Sequence, residues 1–255
     1  MHSSPAVLFI LLVISGARGA ETGFIQRSYT GSDGLAVRYS IYIPPDYSPD
    51  KSWPVVLFLH GAGQAGTDGF APTRTGLGKA IRNRDKPFPA IVVFPQAQKR
   101  ERDILSTWHP DRPEGQRALA ILDQVQKDFR IDPQRVYLTG ISMGGYGAWA
   151  LASRHPERFA AIVPICGGGD RDAAGALKSV PCWCFHGSDD PAVRVDNSRR
   201  MIDALKQAGG KPRYTEYPGV RHNCWDQAYA TDELWTWLLE QRRPRAPHEN
   251  GREGR

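Results

Sequence analysis

The 255-residue sequence holds only four cysteines, Cys166, Cys182, Cys184 and Cys224, with no C-x-x-C pair among them. Its seven histidines are scattered, so nothing has the ligand spacing of a metal site, and no metal or other cofactor is expected. No apolar stretch approaches the roughly 20 residues that a membrane-spanning helix needs; the run Ala6–Ile14 is nine residues long. No internal repeat or low-complexity block stands out. The positive charge does not form a patch. Of the net +6, the segment Arg242–Arg255 supplies +3, from five Arg against Glu249 and Glu253. A nucleic-acid footprint would gather Lys and Arg with aromatics on one face, so nucleic acid is excluded as a partner.

What is present describes one globular domain with a full core, at 40% hydrophobic and 24% charged residues. The run Ala6–Ile14 leads into Ser15-Gly16-Ala17-Arg18-Gly19, with small residues at −3 and −1 of a cleavage site, although the first five residues lack Lys or Arg. Residues 1–19 are therefore expected to be a signal peptide, 20–243 a folded domain and 244–255 a disordered basic tail. The protein is then secreted or periplasmic, with no membrane association once the signal is removed. Such compartments permit disulfides. Cys182 and Cys184 point to the same side of one strand and are poorly placed to bond each other, and four thiols leave three full pairings open.

Phe24–Thr30 and Leu35–Ile43 alternate like antiparallel strands around the turn Gly31-Ser32-Asp33-Gly34. Pro54–His60 and Ala90–Pro95 are continuous apolar runs suited to strands buried on both faces, with a helix over Gly76–Arg84 between them. Leu119, Leu122, Val125 and Phe129 give helical spacing to Glu114–Phe129, which Asp132-Pro133 stops. Ala160–Cys166 and Pro181–His186 are further strands, separated by Gly167-Gly168-Gly169 and one short helix. Asp196–Ala208 is an amphipathic helix, Arg213–Tyr217 a last strand and Asp232–Gln241 a last helix. Strands alternating with helices predict an α/β fold, a mostly parallel sheet covered on both faces with the antiparallel pair in front. Sites in such sheets form at the carboxyl ends of the strands.

At one such end, Val136–Leu138 runs into Gly140-Ile141-Ser142-Met143-Gly144 and then into helix formers. Composition alone would produce about 0.1 matches to Gly-x-Ser-x-Gly in this chain. The glycines let strand and helix approach closely, leaving the serine on a strained turn with its hydroxyl clear of the sheet. A serine hydroxyl needs a base to take its proton and an acid to orient that base. His60 and His186 end strands before Gly and read as structural, His155 precedes Pro156 at a helix end, and His248 lies in the tail. His222, in the loop between the last strand and the last helix, remains as the base. The loop His186-Gly187-Ser188-Asp189-Asp190 offers two aspartates as the acid; one should reach His222 while the other caps the following turn. Backbone N–H donors for an oxyanion are expected from Met143, just after the serine, and from Ala62 and Gly63 in the small-residue loop after His60.

Leu57–Gly63, Gly140–Gly145, His186–Val193 and His222 together resemble the α/β-hydrolase superfamily. Within it, they are similar to the secreted carboxylesterase, feruloyl-esterase and polyhydroxybutyrate-depolymerase-like group, often labelled prolyl-oligopeptidase-type. The resemblance spans residues 54–225. It implies a serine carboxylic ester hydrolase working through an acyl-enzyme, with Ser142 as nucleophile and His222 as base. The group's pattern His-Gly-x-x-Asp-x-x-Val implies Asp190 rather than Asp189 as the acid; the Pro usual after that Val is Arg194 here. Tannase-like members bridge a Cys beside the nucleophile to one beside the histidine. Ile141 and Asn223 stand at those positions, so this chain is not of that type; Cys224 is one residue off, with Cys166 and Cys184 as candidate partners.

The short segment between Gly167 and Pro181 leaves no room for a large lid. An open cleft is expected, admitting carbohydrate-linked, small aromatic or acetyl esters. Trp108, Trp225 and Gly167 are the candidates to line it. A peptidase of the prolyl-oligopeptidase class is the competing expectation, although such enzymes usually carry a gating domain. A non-catalytic carbohydrate- or partner-binding hydrolase fold is the third, and relatives of that kind commonly lack a triad member.

Overall fold

The computed structural model describes residues 21–31, 34–98 and 103–244. The expected signal peptide, the tip of the first turn and the tail beyond Pro244 lie outside the described residues. Eight strands form one sheet: β1 (Gly23–Thr30), β2 (Ala36–Ile43), β3 (Trp53–Leu59), β4 (Ile91–Pro95), β5 (Ile131–Ile141), β6 (Ala161–Ile165), β7 (Trp183–Gly187) and β8 (Arg213–Tyr217). Their spatial order is β1-β2-β4-β3-β5-β6-β7-β8. β1 pairs antiparallel with β2, and β2 with β4; all other pairs are parallel. This is the mostly parallel sheet with an antiparallel N-terminal pair that the sequence predicted.

The helices are α1 (Leu77–Arg82), α2 (Pro113–Asp128), α3 (Met143–Arg154), α4 (Asp196–Gln207), α5 (Trp225–Ala230) and α6 (Asp232–Glu240). Because successive strand side chains point to opposite faces, the central strands feed two separate cores. Val55, Leu57, Leu59, Val93, Leu138 and Cys184 pack with α2, α3 and α4. Val56, Phe58, Val92, Tyr137, Val163 and Phe185 pack with α1, α5 and α6 on the other face. No helix among the described residues is long and apolar enough to cross a membrane.

Two elements depart from expectation. β5 begins at Ile131, so Asp132-Pro133 lies within a strand rather than merely ending a helix. Asp132 is held there by Arg135 at 2.7 Å and Arg242 at 3.0 Å. α5 was not anticipated: six residues without a side-chain cap carry almost no periodic signal. Between β6 and β7 the chain forms only a short 3-10 helix, Asp172–Leu177, and no large lid.

Candidate active site

Ser142 follows β5 directly and starts the turn into α3, with φ 53° and ψ −118°. A non-glycine residue there is strained, by an amount on the order of 1–3 kcal/mol, and is held only by its surroundings. The hold is visible: Ser142 N–H donates to Ile165 at 3.0 Å, and its carbonyl accepts from Tyr146 N–H at 3.1 Å. A Cβ on Gly140 would run into the Gly144 carbonyl, and one on Gly144 into that of Leu59. Both glycines are thus fixed by close approach.

His222 lies in the turn between β8 and α5. Its Nε2 is 2.9 Å from Ser142 Oγ, and its Nδ1 is 2.7 Å from Asp190 Oδ2. Asp190 has a side chain with no exposed surface, whereas a quarter of the His222 side chain (26%) reaches solvent. Asp189 is exposed and takes a 2.7 Å bond from Ser188 Oγ. The expected division between the two aspartates is corrected here. Asp190 Oδ1 caps the following turn itself, accepting from Ala192 N–H at 2.8 Å and Val193 N–H at 2.9 Å, while Oδ2 faces His222.

Met143 is the first residue of α3, so its N–H has no partner within the helix. Ala62 and Gly63 open a 3-10 turn, Ala62–Gln64, whose first closed bond is Gln64 N–H to Gly61. His60 determines how this turn faces. Its Nε2 accepts from Ala97 N–H at 3.0 Å, so Nδ1 carries the hydrogen and donates to the Gly61 carbonyl at 2.7 Å. In a trans peptide, C=O and N–H point opposite ways, so pinning the Gly61 carbonyl aims Ala62 N–H away from His60. Burial drives the His60 pKa down to about 4, keeping it neutral for this task.

Residues 34–168, just over half the chain, match the family model described as "Esterase: Putative esterase". The chain belongs to this esterase family. It is 27% identical over 207 residues to a bifunctional acetylxylan esterase/xylanase of Neocallimastix patriciarum, covering 77% of this chain and 29% of that protein. It is 30% identical over 173 residues to poly(3-hydroxyalkanoate) depolymerase C of Paucimonas lemoignei, covering 65% and 40%. Among solved structures, a thermostable esterase superposes with a TM-score of 0.77 at 34% identity, over 86% of this chain and 63% of that one. The chain therefore spans under half the length of those two curated relatives.

The remaining expected residues of this family member fall unevenly. Trp225 packs edge-on against the His222 ring, with centroids 5.3 Å apart. Trp108 does not line a cleft. It is fully buried, donates from Nε1 to the His60 carbonyl at 3.1 Å and sets its ring against that imidazole. Gly147 makes room for it, since a Cβ there would collide with Trp108. Gly167 is likewise a packing residue: it lies against the Gly145 backbone, and its carbonyl accepts from Ser198 Oγ at 2.9 Å. Sequence reading missed Gln96, buried behind the 3-10 turn, where it bonds Gln64 and Gly69 of the same loop at 2.9 and 2.6 Å. A lone glutamine carries no motif by which to find it.

All four cysteines are free and buried. Cys166, Asp190 and His222 place one ligand atom each within 4.8 Å of one another. Two of these groups already bond each other, and burial together with the neighbouring Cys224 thiol pushes the Cys166 thiol well up, so it offers a protonated sulfur. A cleft of about 500 Å³ opens one helical turn beyond Ser142, walled by Tyr146, Leu105 and Pro110 and rimmed by Asp103, Asp111 and Asp170.

Proposed function

We propose that this chain is a serine carboxylesterase in which Ser142, His222 and Asp190 form the catalytic triad. The observation that carries the reading is the continuous line from Ser142 Oγ through both ring nitrogens of His222 to Asp190, at 2.9 and 2.7 Å. Ser142 Oγ attacks the ester carbonyl as His222 Nε2 takes its proton. Asp190 holds the Nδ1–H tautomer and stabilises the imidazolium. The developing oxyanion is met by the N–H groups of Met143, Ala62 and Gly63, at the start of a 12-residue helix whose dipole favours negative charge. His222 then protonates the departing alcohol, leaving an acyl-Ser142 that water cleaves by the same steps reversed.

The substrate class we infer is a carbohydrate-linked acyl ester, with small aromatic or acetyl esters as simple surrogates. In support, one relative is an acetylxylan esterase/xylanase, and the cleft beside Tyr146 is lined by apolar and polar side chains together, Leu105 and Pro110 with Ser106, Asp103, Asp111 and Asp170 among them. The test is hydrolysis of p-nitrophenyl acetate, methyl ferulate and acetylated xylan by the parent and by Ser142→Ala. Turnover by the parent and a loss of at least about 10⁴-fold in the variant are expected. No turnover of any ester by the parent would overturn the esterase reading, and a fully active variant would overturn the mechanism.

A further inference from the structure

Asp190 Oδ2 does not face His222 alone. His186 Nε2 lies 3.2 Å from the same oxygen and 2.9 Å from the Val193 carbonyl. A carboxylate and a carbonyl can only accept, so Nε2 of His186 must carry a hydrogen. The opposite ring nitrogen, Nδ1, lies 2.7 Å from Ser198 Oγ on α4, and that hydroxyl reaches the Gly167 carbonyl at 2.9 Å. The whole imidazole is inaccessible to solvent. With Ala192 and Val193 N–H on Oδ1 and His222 Nδ1–H on Oδ2, Asp190 accepts three hydrogen bonds, and the His186 N–H that bonds Val193 stands 3.2 Å from Oδ2 as the fourth group against the carboxylate.

From this geometry we propose that His186 is a positioning residue of the active site, its Nε2–H holding the Val193 carbonyl and Asp190 Oδ2 together so that the carboxylate faces His222. The proposal rests on the triad reading above. The titratable groups around His186 are Asp190 and His222 from the two loops, Cys184 on its own strand and Glu216 on β8. Burial lowers its own pKa, against the raising effect of Val193 and Asp190. Removing the Nε2–H donor leaves Asp190 a stronger acceptor toward His222. The acid limb of kcat/KM therefore moves to higher pH.

The experiment compares the parent, His186→Leu, which removes the donor, and His186→Gln, whose amide nitrogen can stand near Nε2. Kinetics are read with p-nitrophenyl acetate from pH 4 to 9, and folding is checked by thermal unfolding. For His186→Leu, kcat should fall about ten- to a hundredfold with KM little changed, and the acid limb should rise by about one pH unit. His186→Gln should recover at least half of both effects. A folded His186→Leu with parental kcat and acid limb overturns the proposal, as do equal losses in both variants with an unmoved pH profile. Should His186→Leu fail to fold, ¹⁵N NMR of the parent decides: a protonated His186 Nε2 supports the proposal and a bare one overturns it. Ser142→Ala assayed alongside separates the two readings. If it is active, the triad falls; if it is inactive while His186→Leu behaves as the parent, only the role of His186 falls.

Discussion

At the scale of single residues, Asp190 and His60 carry the sharpest consequences. Asp190 uses one oxygen on its own turn and the other on His222, so an amide whose oxygen keeps the turn presents a donor to His222 Nδ1 and loses the tautomer control. Asp190→Asn should lower kcat by about 10³–10⁴-fold, while Asp189→Asn, altering an exposed side chain, should stay within about twofold; steady-state kinetics on one ester checks both. His60 is neutral in the fold with its pKa lowered to about 4 against an ordinary 6.5. Between those values the unfolded chain binds a proton that the folded chain refuses, so stability is fully present above pH 6.5 and is lost as pH falls toward 4. The loss is on the order of 3 kcal/mol for this residue. Urea unfolding at pH 7 and pH 4.5 should show that leg, and His60→Gln should flatten it.

At the scale of elements, α5, next to the His222 turn, is held to the sheet by core packing and by a buried hydrogen bond from Tyr229. Thr139 Oγ1 donates to the Val163 carbonyl at 2.7 Å, so Tyr229 must donate to Thr139 at 2.8 Å. Tyr229→Phe keeps the ring packing and loses that bond, and should cost about 1 kcal/mol of stability in thermal unfolding. The strands were legible in the sequence because β3, β4 and β6 are buried on both faces, which writes them as unbroken apolar runs. Ser142 and His222 were legible because a strained turn demands glycine neighbours and because topology leaves one histidine late in the chain. Asp190 was separable from Asp189 only through a family pattern, since adjacent residues of one type differ solely in which way the loop turns them. α5 was not legible, being too short to show a period. Trp108 was misassigned for another reason: whether an indole lines a cleft or fills a core depends on partners far along the chain, here His60 and Gly147.

At the scale of the whole molecule, the proposed triad and oxyanion donors stand on one edge of the sheet, after β3, β5, β7 and β8. Residues 1–19 are a proposed export signal, and the intact mass of protein recovered from the medium or periplasm of an expressing cell should correspond to a chain starting at Ala20. Two long connections leave the same edge of the sheet, one after β4 and one after β6. Both are pinned at each end to buried elements, and neither supplies an atom of the triad. The entropy of closing a loop grows only slowly, by about 0.6 kcal/mol for each doubling of its length. Either span can therefore be rebuilt, and with it the range of substrates that meet the proposed triad, while Ser142, Asp190 and His222 keep their places. Innovation in this molecule is cheap at its rim and forbidden at its turn, where one added methyl group on Gly144 would strike Leu59.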